Sequence, residues 1–329
     1  MKDRTSWDQP VETLFQIPVV RFQINFQAAM NLQTEGIEPA FRGRLGFRLK
    51  QSWCFYDDFR HANCYGCNLL DHCHYVKLFT PDMLKSPIVN QKRTQLRPFV
   101  FKIEGSTGAE KVLKGETGSL EFCLFGPAID EMPFFAKSAC EAVESFPMKV
   151  RTISLIAPKH ATYPQNADSV EKPSGKWKLA DFLKPELPSN KYLLAHFVTP
   201  VHILSGGNPL SKEDISFNHL ILSMINRLRD LKRCYGDGTD MGKIPDDFSI
   251  LAKKVHVVQN RLYFSKKKRF SKRQEQNIWL NGLKGKLYFT GPFQQFSNIL
   301  KASEITRIGK GASEGNGLLH FSVSDILPE

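Results

Sequence analysis

The sequence predicts an α+β protein built from two tandem ferredoxin-like, or RRM-like, domains. The first observation is an order of strand, helix, strand, strand, helix, strand in the first half of the chain, which is the ferredoxin-like pattern. The second observation is that the same order returns in the second half. The third is a length of 329 residues, which is enough for two domains or for one large one. One larger α+β domain is therefore the alternative.

The first half begins with a β-branched, partly alternating stretch at residues 14–26, which predicts a strand. Residues 38–53 predict a helix, because apolar positions recur there at helical spacing with basic residues around them. The positions at i, i+4, i+7 and i+8 are Phe41, Leu45, Arg48 and Leu49. The segments "RPFVFKIEG" and "GSLEFCLFG" predict two strands. A helix opened by acidic residues and the strand "MKVRTISLIA" complete this half.

The second half begins with the predicted strand "KYLLAHFVTPVHIL". The strongest amphipathic helix of the chain follows at residues 217–235, and Gly236 is placed to end it. Its apolar stripe consists of Leu220, Met224, Leu228 and Leu231. Two strands, a helix with proline at its start and the strand "GLLHFSVSDIL" come next. The second half therefore repeats the order of strand, helix, strand, strand, helix, strand.

The predicted domain bounds follow from these elements. Residues 1–160 form the N-terminal domain, which contains a cysteine-rich insertion at about residues 53–76. Residues 161–190 are rich in Pro, Ser, Asn and Lys, so they predict a linker or an inserted loop. Residues 191–329 form the C-terminal domain with a glycine-rich loop.

The composition is 41% hydrophobic and 24% charged, as in ordinary globular proteins, which argues against disorder. The net charge of +12 favours a polyanionic partner, with an inert basic surface as the alternative. The N-terminus has no apolar signal-peptide region, and no apolar run reaches the roughly 18 residues that a membrane span needs. The sequence therefore predicts a cytoplasmic protein without a membrane partner.

The insertion contains four closely spaced cysteines, and its core is a C-x2-C motif. Four soft ligands this near in sequence can surround one tetrahedral ion, and four thiolates would fill the coordination shell of zinc. The predicted metal ligands are Cys54, Cys64, Cys67 and Cys73. A structural zinc ion without a direct part in catalysis is the prediction. An iron–sulfur cluster and four unligated thiols are the alternatives.

Histidines of the same segment are alternative ligands if one cysteine stands aside, namely His61, His72 and His74. The remaining cysteines lie in apolar patterns and are expected to be small core residues. These are Cys123, Cys140 and Cys234.

Residues 253–286 contain eleven Lys and Arg against the single acid Glu275. Tyr263, Phe264 and Phe270 interleave with these cations, a pattern that suits splayed single-stranded bases beside phosphates. The predicted RNA-binding residues here are Lys266, Lys267, Lys268, Arg269, Lys272, Arg273 and Gln274. A solvated charged face, a nuclear-type address signal, or a strand with core aromatics is the alternative.

Near the end of the chain, four glycines fall within nine residues: Gly309, Gly311, Gly315 and Gly317. A dinucleotide-binding fingerprint is excluded, because Glu314 stands at the third glycine position and too few residues follow for a helix and a strand. A P-loop motif is absent. The prediction is a turn whose N–H groups face a polyanion backbone, with Arg307 and Lys310 alongside. A turn that only needs positive φ is the alternative.

The C-terminal half resembles the CRISPR-associated RAMP-superfamily endoribonucleases that process precursor crRNA. The matching segments, in order, are "FVTPVHIL", "FNHLILSMINRLRDLKRCYGDG", "RFSKRQ" with "NGLKGKLYFTG", and "IGKGASEGNG". The basic positions of the helix fall at Arg227, Arg229 and Arg233. In the N-terminal half, "FRGRLGFRLKQ" and the cysteine segment ending in "CHYVKLF" are similar to one branch of the family.

The resemblance implies two ferredoxin-like domains, CRISPR repeat RNA as the partner, and cleavage without a catalytic metal. In that reaction the RNA 2′-OH attacks the adjacent phosphate and leaves a 2′,3′-cyclic phosphate and a 5′-OH. Many relatives carry a histidine near the position of Phe47, whereas residues 1–60 of this chain contain no histidine. The candidate catalytic residues are Arg44, Arg48, Lys50 and His61.

Arginine stays protonated and is a poor general base, so the sequence supports RNA binding better than cleavage. A cleavage-deficient repeat-RNA-binding subunit of a CRISPR effector complex is therefore the alternative function. A zinc-stabilised interaction protein that binds no RNA is a third hypothesis, and the basic stretch argues against it.

Overall fold

The structure is a computed structural model, and it describes most of the chain. The described residues are 8–33, 37–60, 63–84, 96–105, 111–166, 170–173, 175–183, 187–188, 190–239, 246–266, 268–271, 276–279 and 281–327. The chain divides into two compact units. The N-terminal unit comprises Ile17–Lys178 with Arg233–Gly238. The C-terminal unit comprises Met1–Gln16, Leu179–Lys232 and Thr239–Glu329.

Helix α1 (Asp8–Thr13) precedes the N-terminal unit in the chain and belongs to the C-terminal unit. The elements of the N-terminal unit then follow in order: β1 (Val19–Ala28), β2 (Leu32–Gln33), α2 (Ile37–Trp53), α3 (His74–Phe79), β3 (Phe99–Gly105), β4 (Lys111–Val112), β5 (Thr117–Phe125), α4 (Met132–Glu144), β6 (Met148–Ile156) and β7 (Thr162–Gln165). The main sheet has the order β3-β5-β1-β6-β7. All of its strand pairs are antiparallel.

The N-terminal core is an aromatic layer between one face of this sheet and helices α2 and α4. Strand β1 alternates, and its Phe22 side chain is fully buried and stacks on Phe122 of β5 at 4.9 Å between ring centroids. Phe41 of α2 packs on the same Phe122 ring at 5.9 Å. Phe135 of α4 meets Phe122 edge-on at 5.4 Å. Burial of such rings supplies most of the hydrophobic stabilisation of a domain this size.

The C-terminal unit continues with β8 (Tyr192–Val201), β9 (Leu204–Ser205), β10 (Asn208–Pro209), α5 (Phe217–Tyr235), α6 (Asp246–Lys253), β11 (His256–Ser265), β12 (Lys268–Ser271), β13 (Gln276–Trp279), β14 (Gly282–Thr290), α7 (Ser297–Thr306) and β15 (Leu319–Ser324). Its main sheet has the order β11-β14-β8-β15. The pairs of this sheet are antiparallel as well. Strands β12 and β13 pair with each other.

The C-terminal core lies between one face of this sheet and helix α5. Phe217, at the start of α5, meets Phe289 of β14 at 5.3 Å and Phe296 at 5.2 Å. The predicted stripe of α5 is fully buried at Leu220, Met224, Leu228 and Leu231.

The α+β class with antiparallel sheets is confirmed. The segment that the sequence predicts as a linker contains an edge strand, since Thr162–Gln165 pairs with β6. The helix Asp246–Lys253 has no counterpart in the sequence prediction. The predicted domain bounds stay a prediction. Within the described residues, no helix has the length and apolar character of a membrane-crossing segment.

Candidate functional site

The outer face of α2 carries three of the predicted catalytic residues. Arg44 is exposed, but its guanidinium donates to the carbonyl oxygen of Ser145 and lies over the Phe146 ring at 4.0 Å from the centroid. Cation–π contact and hydrogen bond together fix this side chain against the end of α4. Arg44 is therefore a tethered cation.

One helical turn further, an aromatic–arginine cluster is formed by Phe47, Arg48, Phe59 and Arg60. The Phe47 ring is 38% exposed although it is large and apolar. It meets Phe59 edge-on at 5.3 Å, with Arg60 at 5.5 Å and Arg48 at 5.9 Å from its centroid. Phe59 and Arg60 were not predicted from the sequence, because only the folded structure shows that this part of the insertion packs against α2. The cluster offers an aromatic plane beside two permanent positive charges.

Lys50 lies on another side of α2 and lines a cavity together with the four predicted metal ligands. We call this the cysteine cavity, and its thiols belong to Cys54, Cys64, Cys67 and Cys73. Its volume of about 30 Å³ exceeds the roughly 10–15 Å³ that one small ligand such as water needs. All four cysteines are half-buried and unpaired by disulfides.

The cysteine cavity has an electrostatic signature. Burial raises the pKa of the Cys64 thiol, Lys50 lowers it, and the other three cysteines raise it further. The four thiols therefore lie close enough to influence one another electrostatically. In the described part of the chain, no three His, Cys, Asp or Glu side chains stand in an arrangement that could hold a metal as it is. The donor chemistry suits zinc, and the four thiols would have to draw closer to bind it.

The alternative histidine ligands are placed as follows. His72 is exposed. The His74 ring stacks on Trp53 at 4.0 Å, and its Nδ1 atom lies 2.6 Å from Glu131 Oε1, an ion-pair distance without hydrogen-bond geometry. His61, which is also a candidate catalytic residue, lies outside the described residues. His74 therefore contacts Trp53 and Glu131, and these contacts argue against it as a fourth metal ligand.

The basic stretch is only partly described. Lys266 is exposed at the end of β11. Lys268 and Arg269 lie in β12, opposite Trp279 and Ile278 of β13. The predicted residues outside the described part are Lys267, Lys272, Arg273 and Gln274. A basic two-stranded hairpin is therefore the observed setting of this segment.

The glycine-rich loop connects α7 to β15, and its backbone bonds are directed into the protein. The Gly317 N–H donates to the Pro200 carbonyl at 3.0 Å, and the Lys310 N–H donates to the His202 carbonyl at 3.2 Å. The Gly315 N–H donates to Ala312 at 3.3 Å. The N–H groups of Gly315 and Gly317 are thus used within the protein. Contact of these two glycines with a phosphate stays a prediction.

The glycines are required by conformation and by close packing. Gly309 has φ of 72° and Gly317 has φ of 79°. A Cβ on Gly309 would lie 2.4 Å from the His202 carbonyl oxygen, and one on Gly317 would lie 1.9 Å from that of Ile308. Gly311 also has positive φ. The loop therefore packs its backbone directly on the end of β8.

Arg307 supports the loop from within. The residue is only 2% exposed, and its Nη1 atom donates to the Gly315 carbonyl at 2.5 Å. The guanidinium lies inside the loop and donates to its carbonyl groups. Contact of Arg307 with RNA stays a prediction. Lys310 is exposed, so the predicted cation of this loop that reaches its surface is Lys310.

The helix that resembles the family's basic helix shows the same inward use of charge. Arg227 Nε donates to the Thr306 carbonyl at the end of α7, at 3.3 Å. Thr199 of the Thr-Pro segment accepts from the Leu318 N–H at 2.9 Å. Two of the segments that carry the resemblance, the Thr-Pro segment and the basic helix, thus contact the two ends of the glycine-rich loop segment.

Two family models match the chain. Residues 195–319 match a model described as CRISPR-associated endoribonuclease Cas6, and residues 15–151 match one described as an N-terminal domain. Residues 195–319, which include the glycine-rich loop ahead of the last strand, therefore match a family of CRISPR-associated endoribonucleases. This match confirms the resemblance read from the sequence.

Solved structures with TM-scores of 0.50 and 0.53 agree in fold with this chain. A Cas6 product complex aligns with a TM-score of 0.50 and 12% identity, over 92% of this chain and 100% of that one. A partial Cas6-RT-Cas1–Cas2 complex aligns with a TM-score of 0.53 and 9% identity, over 94% of this chain and 46% of that one. Thermus thermophilus Cas6 has 12% identity and a TM-score of 0.48, over 93% of this chain and 99% of that one. No curated protein sequence matched the chain.

Proposed function

We propose that the protein binds CRISPR repeat RNA and cleaves precursor crRNA by attack of the RNA's own 2′-OH on the adjacent phosphate. The products are a 2′,3′-cyclic phosphate and a 5′-OH. The observation that carries the proposal is the match of residues 195–319 to an endoribonuclease family. The net charge of +12 supports a polyanionic substrate.

The proposal includes two tandem ferredoxin-like domains with a cysteine-rich insertion in the first. Each main sheet contains four long strands, which are β1, β3, β5 and β6 in one unit and β8, β11, β14 and β15 in the other. Numbered 1 to 4 along the chain, these strands have the order 2-3-1-4 across both sheets. Helices α2 and α4 connect the long strands of one unit, and α5 and α7 connect those of the other. This repeated order supports a tandem arrangement.

The chemistry needs a base for the 2′-OH, an acid for the leaving oxygen and cations for the developing negative charge. Arg48 is half-exposed beside Phe47, so it is the proposed charge stabiliser on α2. Arg44 and Lys50 are committed to Ser145 and to the cysteine cavity. His61 is the proposed base, because it is the nearest imidazole in sequence to α2.

The alternative function is a cleavage-deficient subunit that binds repeat RNA within a CRISPR effector complex. One observation favours it: α2 presents Phe47 where many relatives carry a histidine, and a phenyl ring transfers no proton. One solved structure of similar fold is a Cas6-RT-Cas1–Cas2 complex. This similarity supports subunits of CRISPR complexes as partners of this protein.

RNA contact is proposed for the basic hairpin and the surface of the glycine-rich loop. The proposed contacts are Lys266, Lys267, Lys268, Arg269, Lys272, Arg273, Gln274, Gly309, Lys310 and Gly311. Exposed Lys266 and Lys310 support this assignment. Arg307, Gly315 and Gly317 belong to the same proposed set, and their hydrogen bonds within the protein give them a supporting role in the loop as well.

A structural zinc ion bound by Cys54, Cys64, Cys67 and Cys73 is part of the proposal. Convergence of the four thiols on the cysteine cavity supports it. Four thiolate ligands leave zinc no open position, so the ion would hold the insertion together. An iron–sulfur cluster would use the same ligands. The proposed setting is cytoplasmic, without a membrane partner.

The test uses purified protein with end-labelled repeat RNA, with and without EDTA. A matched RNA carries a single 2′-deoxy substitution at the cut. We expect cleavage that survives EDTA and disappears with the 2′-deoxy RNA. Salt-sensitive binding without cleavage supports the alternative function. Absence of salt-sensitive binding to either RNA overturns both functions.

A further inference from the structure

The cysteine-rich insertion contributes no side chain to the hydrophobic core of the N-terminal unit. Among residues 54–60 and 63–73, which the structure describes, none is buried. The buried residues of the core cluster pass from Leu49 of α2 directly to Leu78 of α3. Burial in the core therefore does not explain the large apolar side chains that the insertion carries.

Four of these side chains are exposed to solvent. Phe55 is 83% exposed, Tyr65 is 69% exposed and Tyr56 is 54% exposed. Leu69 is 43% exposed. We call these four residues the insertion patch. Soluble proteins rarely collect large apolar side chains on one exposed region, and where they do, that region usually contacts a partner.

The insertion patch is arranged around the cysteine cavity. Each of its members follows, by one or two residues, a cysteine that lines this cavity, in the pairs Cys54–Phe55, Cys54–Tyr56, Cys64–Tyr65 and Cys67–Leu69. Consecutive Cα atoms are about 3.8 Å apart, so each patch residue has its Cα within about 8 Å of a cavity-lining cysteine. The Asn63 side chain accepts from the Tyr65 N–H at 3.0 Å and thereby holds the turn that carries Tyr65. The patch therefore belongs to one compact region of the surface.

The insertion is acidic, although the protein is basic. Residues 54–73 contain three acids against one cation, which gives a formal net charge of −2 with histidines neutral, whereas the whole chain carries +12. The acids are Asp57, Asp58 and Asp71, and the cation is Arg60. Asp57 and Asp71 are exposed, whereas Arg60 lies over the Phe47 ring of α2. The insertion patch therefore shares its segment with charge of the opposite sign to that of the protein as a whole.

This charge separates two classes of partner for the insertion patch. A surface that binds single-stranded RNA combines aromatic rings with cations for the phosphates, whereas acids repel the phosphates. A protein segment with apolar and cationic side chains gains apolar contact and an opposite charge at the same place. Aromatic side chains are also enriched at the centre of protein interfaces. The observations therefore favour a protein partner over RNA.

We propose that the insertion patch binds a basic amphipathic segment of a partner protein. The apolar side chains of that segment contact the patch, and its Lys or Arg side chains face Asp57 and Asp71. An amphipathic helix has this chemistry, because one stripe of it is apolar and its flanks are charged. The positive net charge of the rest of the chain repels such a segment, which directs it to the insertion. The inference does not depend on RNA cleavage.

The test uses a labelled peptide of about 15 residues, roughly four helical turns, in which Leu forms one stripe and Lys fills the other positions. A matched peptide carries Glu in place of every Lys. Fluorescence anisotropy measures the binding of each peptide to the full chain as a function of salt. We expect the Leu/Lys peptide to bind although its charge has the same sign as that of the protein, with an affinity that falls as salt rises. The Leu/Glu peptide should bind basic surfaces elsewhere.

Two double variants separate apolar contact from charge. Phe55→Ser with Tyr65→Ser should weaken binding of the Leu/Lys peptide about tenfold or more at every salt concentration, because a few aromatic contacts dominate binding. Asp57→Asn with Asp71→Asn should weaken it several-fold at low salt and hardly at high salt. Neither change should alter the melting temperature or the binding of the Leu/Glu peptide, since the substituted residues are exposed.

Matched controls make the same kinds of change outside the insertion. Leu113→Ser with Tyr163→Ser alters two apolar side chains that are 51% and 53% exposed. Glu144→Gln with Glu171→Gln removes two exposed acids. Both controls should bind the Leu/Lys peptide like the unsubstituted protein. Absence of binding to this peptide, or equal weakening in the control and insertion variants, would overturn the proposal.

Binding of poly(U) RNA and cleavage of repeat RNA are measured on the same samples. Insertion variants that keep peptide binding but lose poly(U) binding would show an RNA surface and overturn the proposal. Insertion variants that lose Leu/Lys peptide binding but still bind and cleave RNA like the unsubstituted protein support it. If the unsubstituted protein neither binds nor cleaves RNA but binds the peptide through the patch, the proposed function fails and this inference stands.

Discussion

The guanidinium of Arg307 donates to the carbonyl oxygen of Gly315 across the glycine-rich loop. This contact places a full positive charge inside the C-terminal unit with 2% exposure. A residue that looks like an RNA-binding cation in sequence is thereby a structural support. The consequences for the loop can be measured.

Substitution Arg307→Ala is expected to destabilise the protein. It removes hydrogen bonds from a charged donor to buried carbonyl groups, so the free energy of unfolding should fall by about 3 kcal/mol. Urea unfolding measures the change. The control Lys310→Ala is exposed and should change stability by less than about 0.5 kcal/mol. A stable Arg307→Ala protein with weakened RNA binding would restore the RNA role of Arg307.

Gly317→Ala should be more damaging than alanine at a glycine with free space. At Gly317 the new Cβ would lie 1.9 Å from the Ile308 carbonyl oxygen, and φ is +79°. At Gly207, φ is +87° but nothing lies within 4 Å. Gly207→Ala should therefore cost about 1 kcal/mol from backbone strain alone, and Gly317→Ala several times as much. Equal melting temperatures for the two variants would contradict the close packing of Gly317 against the Ile308 backbone.

Acid should weaken the N-terminal unit through Glu121. Burial raises the pKa of this carboxyl, but Arg21 and Lys102 lower it by more, so the folded-state pKa is below the usual value. The ion pairs therefore contribute stability above the unfolded pKa of about 4.3, and this contribution is lost as pH falls through the folded pKa. Glu121→Gln should cost about 3 kcal/mol at neutral pH and flatten the acid side of the stability profile.

The control for this prediction is Asp130→Asn. Asp130 pairs with Lys172 at 3.0 Å, but its side chain is 73% exposed. Exposed pairs contribute at most about 1 kcal/mol, and solvent screens them. Denaturant unfolding across acidic pH should separate the two variants. An unchanged acid slope in Glu121→Gln would show that the carboxyl does not titrate against folding.

Zinc content tests the cysteine cavity. The purified protein should contain about one zinc per chain, and Cys64→Ser should lower both the zinc content and the melting temperature. Cys140→Ser is the control, because Cys140 does not line the cavity and burial raises its pKa to about 12. Elemental analysis gives the metal. Iron with a visible absorbance would instead indicate a cluster, and a metal-free protein of equal stability would exclude a structural ion.

His61→Ala tests the proposed base. Loss of a general base should slow cleavage by about a hundredfold or more without changing RNA affinity. His72→Ala is the matched control, since His72 is an exposed histidine of the same insertion. Single-turnover cleavage with saturating protein separates rate from binding. Equal rates for both variants would remove His61 from the mechanism.

Much of the fold could be predicted from the sequence because both halves bury regular patterns. The alternation of β1 and the helical stripes at Phe41 and Leu220 have the periods of strand and helix, and their burial follows. Helix Asp246–Lys253 escaped because eight residues carry too little periodicity. The edge strand at Thr162–Gln165 escaped because its residues are mostly exposed, so no hydrophobic pattern marks it.

The candidate site was less predictable, because residue type does not reveal the direction in which a group points. Arg307 and the amides of the glycine-rich loop face inward, where only the fold supplies carbonyl partners such as those of Pro200 and His202. Contacts between distant strands were hidden as well. His196 and His320 are far apart in sequence and become neighbours only through strand pairing.

The two bonds from the glycine-rich loop to the end of β8 have a further consequence. Gly317 donates to Pro200 in β8, and Lys310 donates to His202, the residue that directly follows β8. Both ends of the segment between residues 310 and 317 are therefore anchored, which fixes its length. We expect that insertions or deletions between these residues would break one of the two bonds, whereas exposed side chains between them can vary.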